Sequence, residues 1–315
     1  MKQLMLLLFS ALLLIQINAC GGCKSYKTEK GLEEAYAKTD STWVADTIYR
    51  SGLQYCYGTV WANDRLLISN YGGEQLDPLN ISKTGYILQL KQGVLSEYIP
   101  AGKLMAPKGM AVYNNHLFVA DINCVMVFDM NNLQKDPQII PFPEGNLFVS
   151  DLVFRDNFLY ASVRDVNLIY QVEIEDIDEV GEADLDVFLP TVDGPNGMAV
   201  YKDTMYICSY PTNDSIGERN SIYMVLNMLD VSPMLYKLES LPGYYCGIQY
   251  NPDTRLVYYT DRINGQLRSI NMVTGNNKLL FPQKIMLSPQ MLTLHDGLLY
   301  VPDVDASALY VFTVQ

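Results

Sequence analysis

Histidine is nearly missing from this chain. The 315 residues contain only His116 and His295, which argues against a His-ligated metal centre and against Ser-His-Asp chemistry. Basic residues are also scarce: 22 Lys and Arg stand against 35 Asp and Glu, for a net charge of −13. That sign repels phosphate backbones, so nucleic acid is not an expected partner. No apolar run is long enough to span a bilayer comfortably, the longest being Leu4 to Ile17, interrupted by Ser10 and Gln16. Six cysteines show neither a zinc-like nor a framework spacing, and there is no Cys-x-x-Cys-His haem attachment motif. What is abundant is apolar residues, at 49%, and tyrosine, at 23. With many Val, Ile and Leu runs, that composition points to a globular chain rich in strands. The length admits two average domains or one large all-β or α/β domain.

The N-terminus reads as a targeting segment. Lys2 is a short positive n-region and Leu4 to Ile17 has the size of a signal h-region. The run ends Ile17-Asn18-Ala19-Cys20, which resembles a bacterial lipobox. The resemblance implies cleavage before Cys20, lipidation of its thiol and attachment to a membrane in the bacterial cell envelope, on the periplasmic or cell-surface side. The alternative is plain secretion with cleavage near Ala19. Either route leads out of the cytoplasm. The expected organisation is a signal peptide over 1–19, a polar tether over 20–42 and a folded domain over 43–315. Beyond Cys20, the cysteines are Cys23, Cys56, Cys124, Cys208 and Cys246. Disulfides are permitted outside the cytoplasm, but the number is odd, and Cys124 and Cys208 read as small buried hydrophobes.

The domain is one unit repeated six times. A first strand recurs as Gly58-Thr-Val-Trp61, Gly109-Met-Ala-Val-Tyr113, Asp151-Leu-Val-Phe154, Gly197-Met-Ala-Val-Tyr201, Gly247-Ile-Gln-Tyr250 and Met291-Leu-Thr-Leu294. Each copy is followed by a turn rich in Asn, Asp or Gly, then a second apolar strand such as Leu117-Phe-Val-Ala120, then a third such as Val125-Met-Val-Phe128. Five copies carry a fourth strand, over 95–99, 138–142, 186–189, 234–238 and 278–281. Four antiparallel strands at a spacing of 41 to 51 residues predict an all-β fold, a six-bladed β-propeller. The sixth copy ends after its third strand. The spare segment Trp43 to Tyr49 is expected to supply the missing one and close the ring, protecting an open edge.

Pro107-Lys-Gly-Met-Ala-Val with Leu117-Phe-Val-Ala-Asp121, and Gly194-Pro-Asn-Gly-Met-Ala-Val with Met205-Tyr-Ile, resemble blades of the regucalcin/gluconolactonase-like and NHL-repeat propellers. In the gluconolactonase-like enzymes the inner ring carries a divalent cation on a Glu, two Asn and an Asp. Asn196 matches one asparagine. Tyr57 stands at the glutamate position, Cys246 at the aspartate position, and Val149-Ser150 near the other asparagine. One ligand of four survives, so the resemblance implies a calcium or zinc site only weakly, and no cofactor is expected.

The start of strand one and the end of strand two open on the same face of a propeller. That face is expected to present an inner ring of Tyr57, Lys108, Ser150, Asn196, Cys246 and Gln290, surrounded by Asn70, Asp121, Asp165, Tyr210, Asp261 and Asp303. Capping and turn formation are the other role for those aspartates, and Lys108 reads as a partner of Asp121 or Asp151. Two long loops, 70–85 and 209–221, lie on the same face. Tyr71, Tyr210 and Tyr245, with Tyr57, make its mouth aromatic, suited to a small molecule, a sugar or a protein ligand. The functional expectation is a lipid-anchored, non-enzymatic binding propeller. The alternative is a metal-dependent hydrolase or lactonase of the gluconolactonase type.

Overall fold

The second strand of each repeat is apolar at nearly every position, which suits a strand covered on both faces. The computed structural model describes residues 45–314, except 178, 190, 191, 212–216, 231, 239–241 and 281–284. The signal peptide, Cys20, the tether and Trp43 lie outside the described residues.

Among the described residues the first element is β1 (Thr47–Tyr49), followed by five consecutive hairpin sheets. Blade I holds β2 (Cys56–Ala62), β3 (Arg65–Asn70), β4 (Gly85–Lys91) and β5 (Val94–Leu104). Blade II holds β6 (Pro107–Tyr113), β7 (His116–Asp121), β8 (Cys124–Asp129) and β9 (Gln138–Pro141). Blade III holds β10 (Val149–Arg155), β11 (Phe158–Val163), β12 (Leu168–Glu173) and β13 (Leu185–Leu189). Blade IV holds β14 (Pro195–Tyr201), β15 (Thr204–Ser209), β16 (Ile222–Leu226) and β17 (Met234–Lys237). Blade V holds β18 (Tyr245–Asn251), β19 (Leu256–Asp261), β20 (Gln266–Asn271) and β21 (Asn277–Leu279). Blade VI holds β22 (Thr293–His295), β23 (Leu298–Asp303) and β24 (Ala308–Thr313), and its fourth strand is β1. The fold is a six-bladed β-propeller. Its strand β22 starts two residues later than the repeat predicts, because Pro289 meets Asp303 only through an isolated bridge and Gln290 to Leu292 leave the ladder.

Alternation along strand two divides the core among the blade interfaces. Leu67 packs toward blade II, while Leu66 and Ile68 pack toward blade VI. In blade V, Tyr258 faces blade VI, and Val257 and Tyr259 face blade IV. Six apolar clusters result, one between each pair of neighbouring blades. Each fully buried large aliphatic side chain contributes roughly 1.5–3 kcal/mol relative to exposure.

Near the axis the packing becomes backbone on backbone. A Cβ on Gly197 would overlap the Cys246 carbonyl, and one on Gly247 would lie 2.5 Å from the Gln290 carbonyl oxygen. The second-to-last residue of strand two uses this closeness to join the blades. Ser69 Oγ accepts from Gly58 N (2.8 Å) and donates to Lys108 O (2.7 Å) in the next blade. Ser162 does the same between Asp151 N (3.1 Å) and Asn196 O (2.6 Å), and Thr260 between Gly247 N (2.8 Å) and Gln290 O (2.9 Å). In blade IV the Cys208 thiol donates to Gly247 O at 3.3 Å. Blade III carries Asp151 where four others have glycine. Its Oδ2 accepts Met198 N at 2.8 Å, and burial pushes its pKa up to about 7.

The seam between blades VI and I is closed twice. On the axis, Thr293 Oγ1 donates to Thr59 O (2.8 Å) and Met291 N to Tyr57 O (3.2 Å). At the rim, β1 pairs antiparallel with β24, placing Thr47 opposite Val311, Ile48 opposite Tyr310 and Tyr49 opposite Leu309. Asp46 extends the join: its N–H donates to Val311 O, and its Oδ2 accepts Thr313 N and Oγ1, both at 2.6 Å. Because the seam holds a closed ring, a chain starting at Arg50 is expected to melt in one cooperative transition, on the order of 10 °C below the chain with β1. Loss of a single blade as a separate early transition, seen by calorimetry, would contradict this closure.

Candidate functional site

Five first strands carry the same irregularity. In β2 the register slips between Cys56 and Thr59, so that Tyr57 and Gly58 together face Ser69. Equivalent slips occur in β6, β10, β14 and β18. A bulge of this kind bends the strand and re-aims a side chain. Here it puts Tyr57, Lys108, Ser150, Asn196 and Cys246 at the axis, with Gln290 from the stretch before β22, as the repeat alignment predicts.

The second ring differs from the expected one by one residue. Strand two ends at Asn70, Asp121, Val163, Ser209, Asp261 and Asp303 in the six blades. Those side chains are turned into the fold. Asp121 accepts Met105 N (2.8 Å) and Ala106 N (2.7 Å), and Asp303 accepts Leu287 N (2.6 Å) and Ser288 N (3.0 Å), clasping the segment that leads into each blade. Asp165 grips Leu147 N and Phe148 N in the same way, Asn70 accepts Gln54 N, and Asp261 holds Asn264. The next residue lies past the ladder, where the chain turns away from the strand. Tyr71, Ile122, Arg164, Tyr210, Arg262 and Val304 occupy that position, and all but Ile122 line a mouth cavity of about 160 Å³ with Tyr57, Leu76, Pro78, Lys108, Phe148 and Gln290. Tyr245 is a further correction. It pairs with Asp261 in the ladder, is 1% exposed and packs edge-on against Tyr259 in the core between blades IV and V. Its neighbour Tyr244 is the one that meets Tyr210, with ring centroids 5.3 Å apart.

Arg164, Arg262 and Phe148 were not singled out in the sequence. For Arg164 and Arg262 the signal is in the alignment of the repeats, one position beyond the strand-two ends, whereas Phe148 directly precedes β10. With Lys108 and Tyr210 they form an arc in which cations and rings alternate. Lys108 Nζ lies 5.6 Å from the Phe148 ring centre, Arg164 Cζ lies 4.2 Å from Phe148 and 4.7 Å from Tyr210, and Arg262 Cζ lies 5.8 Å from Tyr210. Arg262 is further held by hydrogen bonds from Nη1 to the Tyr210 hydroxyl and from Nε to Ser288 Oγ, both 2.8 Å.

Lys108 is 1% exposed and donates to the Ala106 carbonyl at 3.2 Å. The expected pairing with Asp121 or Asp151 is not formed, because both carboxylates are taken by backbone N–H groups. Burial pulls the Lys108 pKa down to about 8; Asp121 opposes that shift and Arg164 adds to it. Beneath the cavity the Tyr57 hydroxyl donates to Asn196 Oδ1 at 3.4 Å, and burial pushes the Tyr57 phenol far above the ordinary tyrosine range. The Asn196 amide nitrogen is fully buried and has no hydrogen-bond partner, its neighbour Cys246 being a weak acceptor. Burial raises the Cys246 thiol to about 12, so it is a neutral group and a poor nucleophile.

No protein-family model matches the chain, and the comparison with curated proteins finds no match. Solved structures do resemble it. A chain of the nidogen–laminin complex is similar over 73% of this chain and 86% of its own length, at 12% identity and a TM-score of 0.59. A catalytically inactive virginiamycin B lyase from Staphylococcus aureus, solved with quinupristin, is similar over 85% of this chain and 99% of its own, at 13% identity and a TM-score of 0.56. The WD40 domain of Neurospora crassa Pan2 covers 86% and 95%, at 10% identity and a TM-score of 0.55. The likeness is one of fold. One propeller architecture serves many unrelated functions.

The donor set at the axis does not fit the divalent cation that the gluconolactonase resemblance implies. A hard cation takes several oxygens. Asn196 Oδ1 is already engaged by Tyr57, and an ammonium and two guanidinium groups surround the cavity. Among the described residues no three His, Cys, Asp or Glu side chains cluster as metal ligands.

An unpaired buried ammonium costs stability. Lys108→Met is therefore expected to stabilise the fold at pH 7 by about 2 kcal/mol. The sign with pH follows from linkage. The lysine titrates near 8 folded and near 10.5 unfolded, so the unfolded chain binds more protons between those values and stability rises with pH across that window. Thermal melts from pH 7 to 10 check both parts: the difference between wild type and Lys108→Met should shrink as pH passes 8.

Proposed function

We propose that this chain is an extracytoplasmic, lipid-anchored binding propeller that takes a ligand at the mouth of its central channel and does not turn it over. The observation that supports this best is the mouth cavity itself. Tyr71, Phe148 and Tyr210 supply flat apolar walls, and Lys108, Arg164 and Arg262 supply charge at its edge. Such a pairing of apolar walls with a few polar groups is the usual make-up of a small-ligand site. The Tyr57 phenol and the Cys246 thiol are both held neutral by burial. Ring positions on six blades form the site, so a ligand there touches several blades at once.

A saturation-transfer NMR screen of a small-metabolite library is expected to give binders that Tyr210→Ala weakens about tenfold or more. Hydrolysis of a lactone panel in the presence of calcium, zinc or manganese, lost in Asn196→Ala, would instead establish the metal-dependent lactonase.

The lipid anchor rests on Ala19-Cys20 after the apolar run. Cys20→Ala is expected to move the protein from the membrane fraction to the soluble fraction, or to leave its precursor uncleaved. Fractionation and processing identical to wild type would rule the anchor out.

A further inference from the structure

We infer that the mouth cavity is selective for a small organic carboxylate, whose head lies between Arg164, Arg262 and Lys108 and whose body fills the aromatic end. This rests on the mouth being the binding site and adds the class of ligand.

The first argument is charge. A chain with a net charge of −13 has placed three cations around one cavity of about 160 Å³. Among the described residues none of the three makes an ion pair with a carboxylate. Elsewhere ion pairs do form: Arg65 and Lys91 with Asp64, Arg155 with Asp156, and Arg219 with Asp193. At the mouth the cations are held by Phe148, Tyr210, Ser288 and a backbone carbonyl instead. Rings and neutral oxygens fix their positions, with no carboxylate at ion-pair distance among the described residues.

The second argument is a surplus of donors. The Arg164 guanidinium donates to nothing among the described residues, although its ring contacts hold it flat. Arg262 uses Nε and Nη1 and keeps Nη2, and Lys108 uses one donor of three. A site built this way is completed by a group that only accepts, and an ionised carboxylate is such a group.

Size and walls narrow the class. The cavity is well below the roughly 300 Å³ at which drug-sized sites begin, and Leu76, Pro78, Tyr71 and Val304 are apolar. Inorganic phosphate would leave those walls in contact with water. A monocarboxylate the size of benzoate matches both parts.

Isothermal titration of the purified domain with benzoate, its neutral isostere benzamide and inorganic phosphate tests the assignment. Benzoate is expected to bind, and benzamide and phosphate to bind at least tenfold more weakly. Arg164→Gln is expected to weaken benzoate about tenfold and leave benzamide unchanged, since among the described residues Arg164 makes no side-chain hydrogen bond and its ring contacts are its hold on the fold. Equal affinity for benzoate and benzamide, each lost in Tyr210→Ala, would overturn the carboxylate assignment while leaving the mouth as a binding site. Phosphate binding more tightly than benzoate would overturn it in the same way. Binding of no probe, together with a metabolite screen insensitive to Tyr210→Ala, would remove both the assignment and the site beneath it.

Discussion

Everything at the centre of this molecule depends on how closely the first strands approach one another. Six of them converge on one axis, and at Gly197 and Gly247 there is no room for a methyl group between neighbouring backbones. Strands that near would bury unpaired polar groups unless something bridged them. Ser69, Ser162 and Thr260 do so, each accepting from its own blade and donating to the next. Blades II and VI carry Ala120 and Pro302 at that position. At the blade VI–I seam, where the chain must close on itself, Thr293 and β1 make the join instead.

The same approach creates the mouth. Bulges at the start of the first strands bend them and turn Tyr57, Lys108 and Asn196 toward the axis. Carboxylates at the strand-two ends are used up in clasping backbone, which leaves Lys108 without a counter-ion in the interior. A buried ammonium and a buried amide nitrogen without a good acceptor work against stability. Sites that violate the rules of a satisfied core are where function is commonly found. That reasoning, and not the propeller fold, singles out this face. Structures of the same fold include a chain of the nidogen–laminin complex, a catalytically inactive lyase and a WD40 domain, and no one activity follows from that set.

Much of the architecture was determined by the sequence alone. Six near-repeats with Asn, Asp and Gly turns define the blades, and an apolar strand before the first repeat completes the three-stranded sixth one. These are local signals: hydrophobic alternation and turn chemistry act over a few residues and survive being read one segment at a time. Inner-ring residues were legible for the same reason, since the repeat alignment places Tyr57, Lys108, Asn196 and Gln290 at one position. Only the tertiary structure decided which way the next ring points. A single residue of register separates Asp261, folded into a turn, from Arg262, at the cavity, and Tyr244, beside Tyr210, from Tyr245, in the core. Composition could not show that an acidic chain gathers Lys108, Arg164 and Arg262 at one mouth. Those three lie on different blades, and their nearness is a product of ring closure, a long-range event that no local pattern encodes.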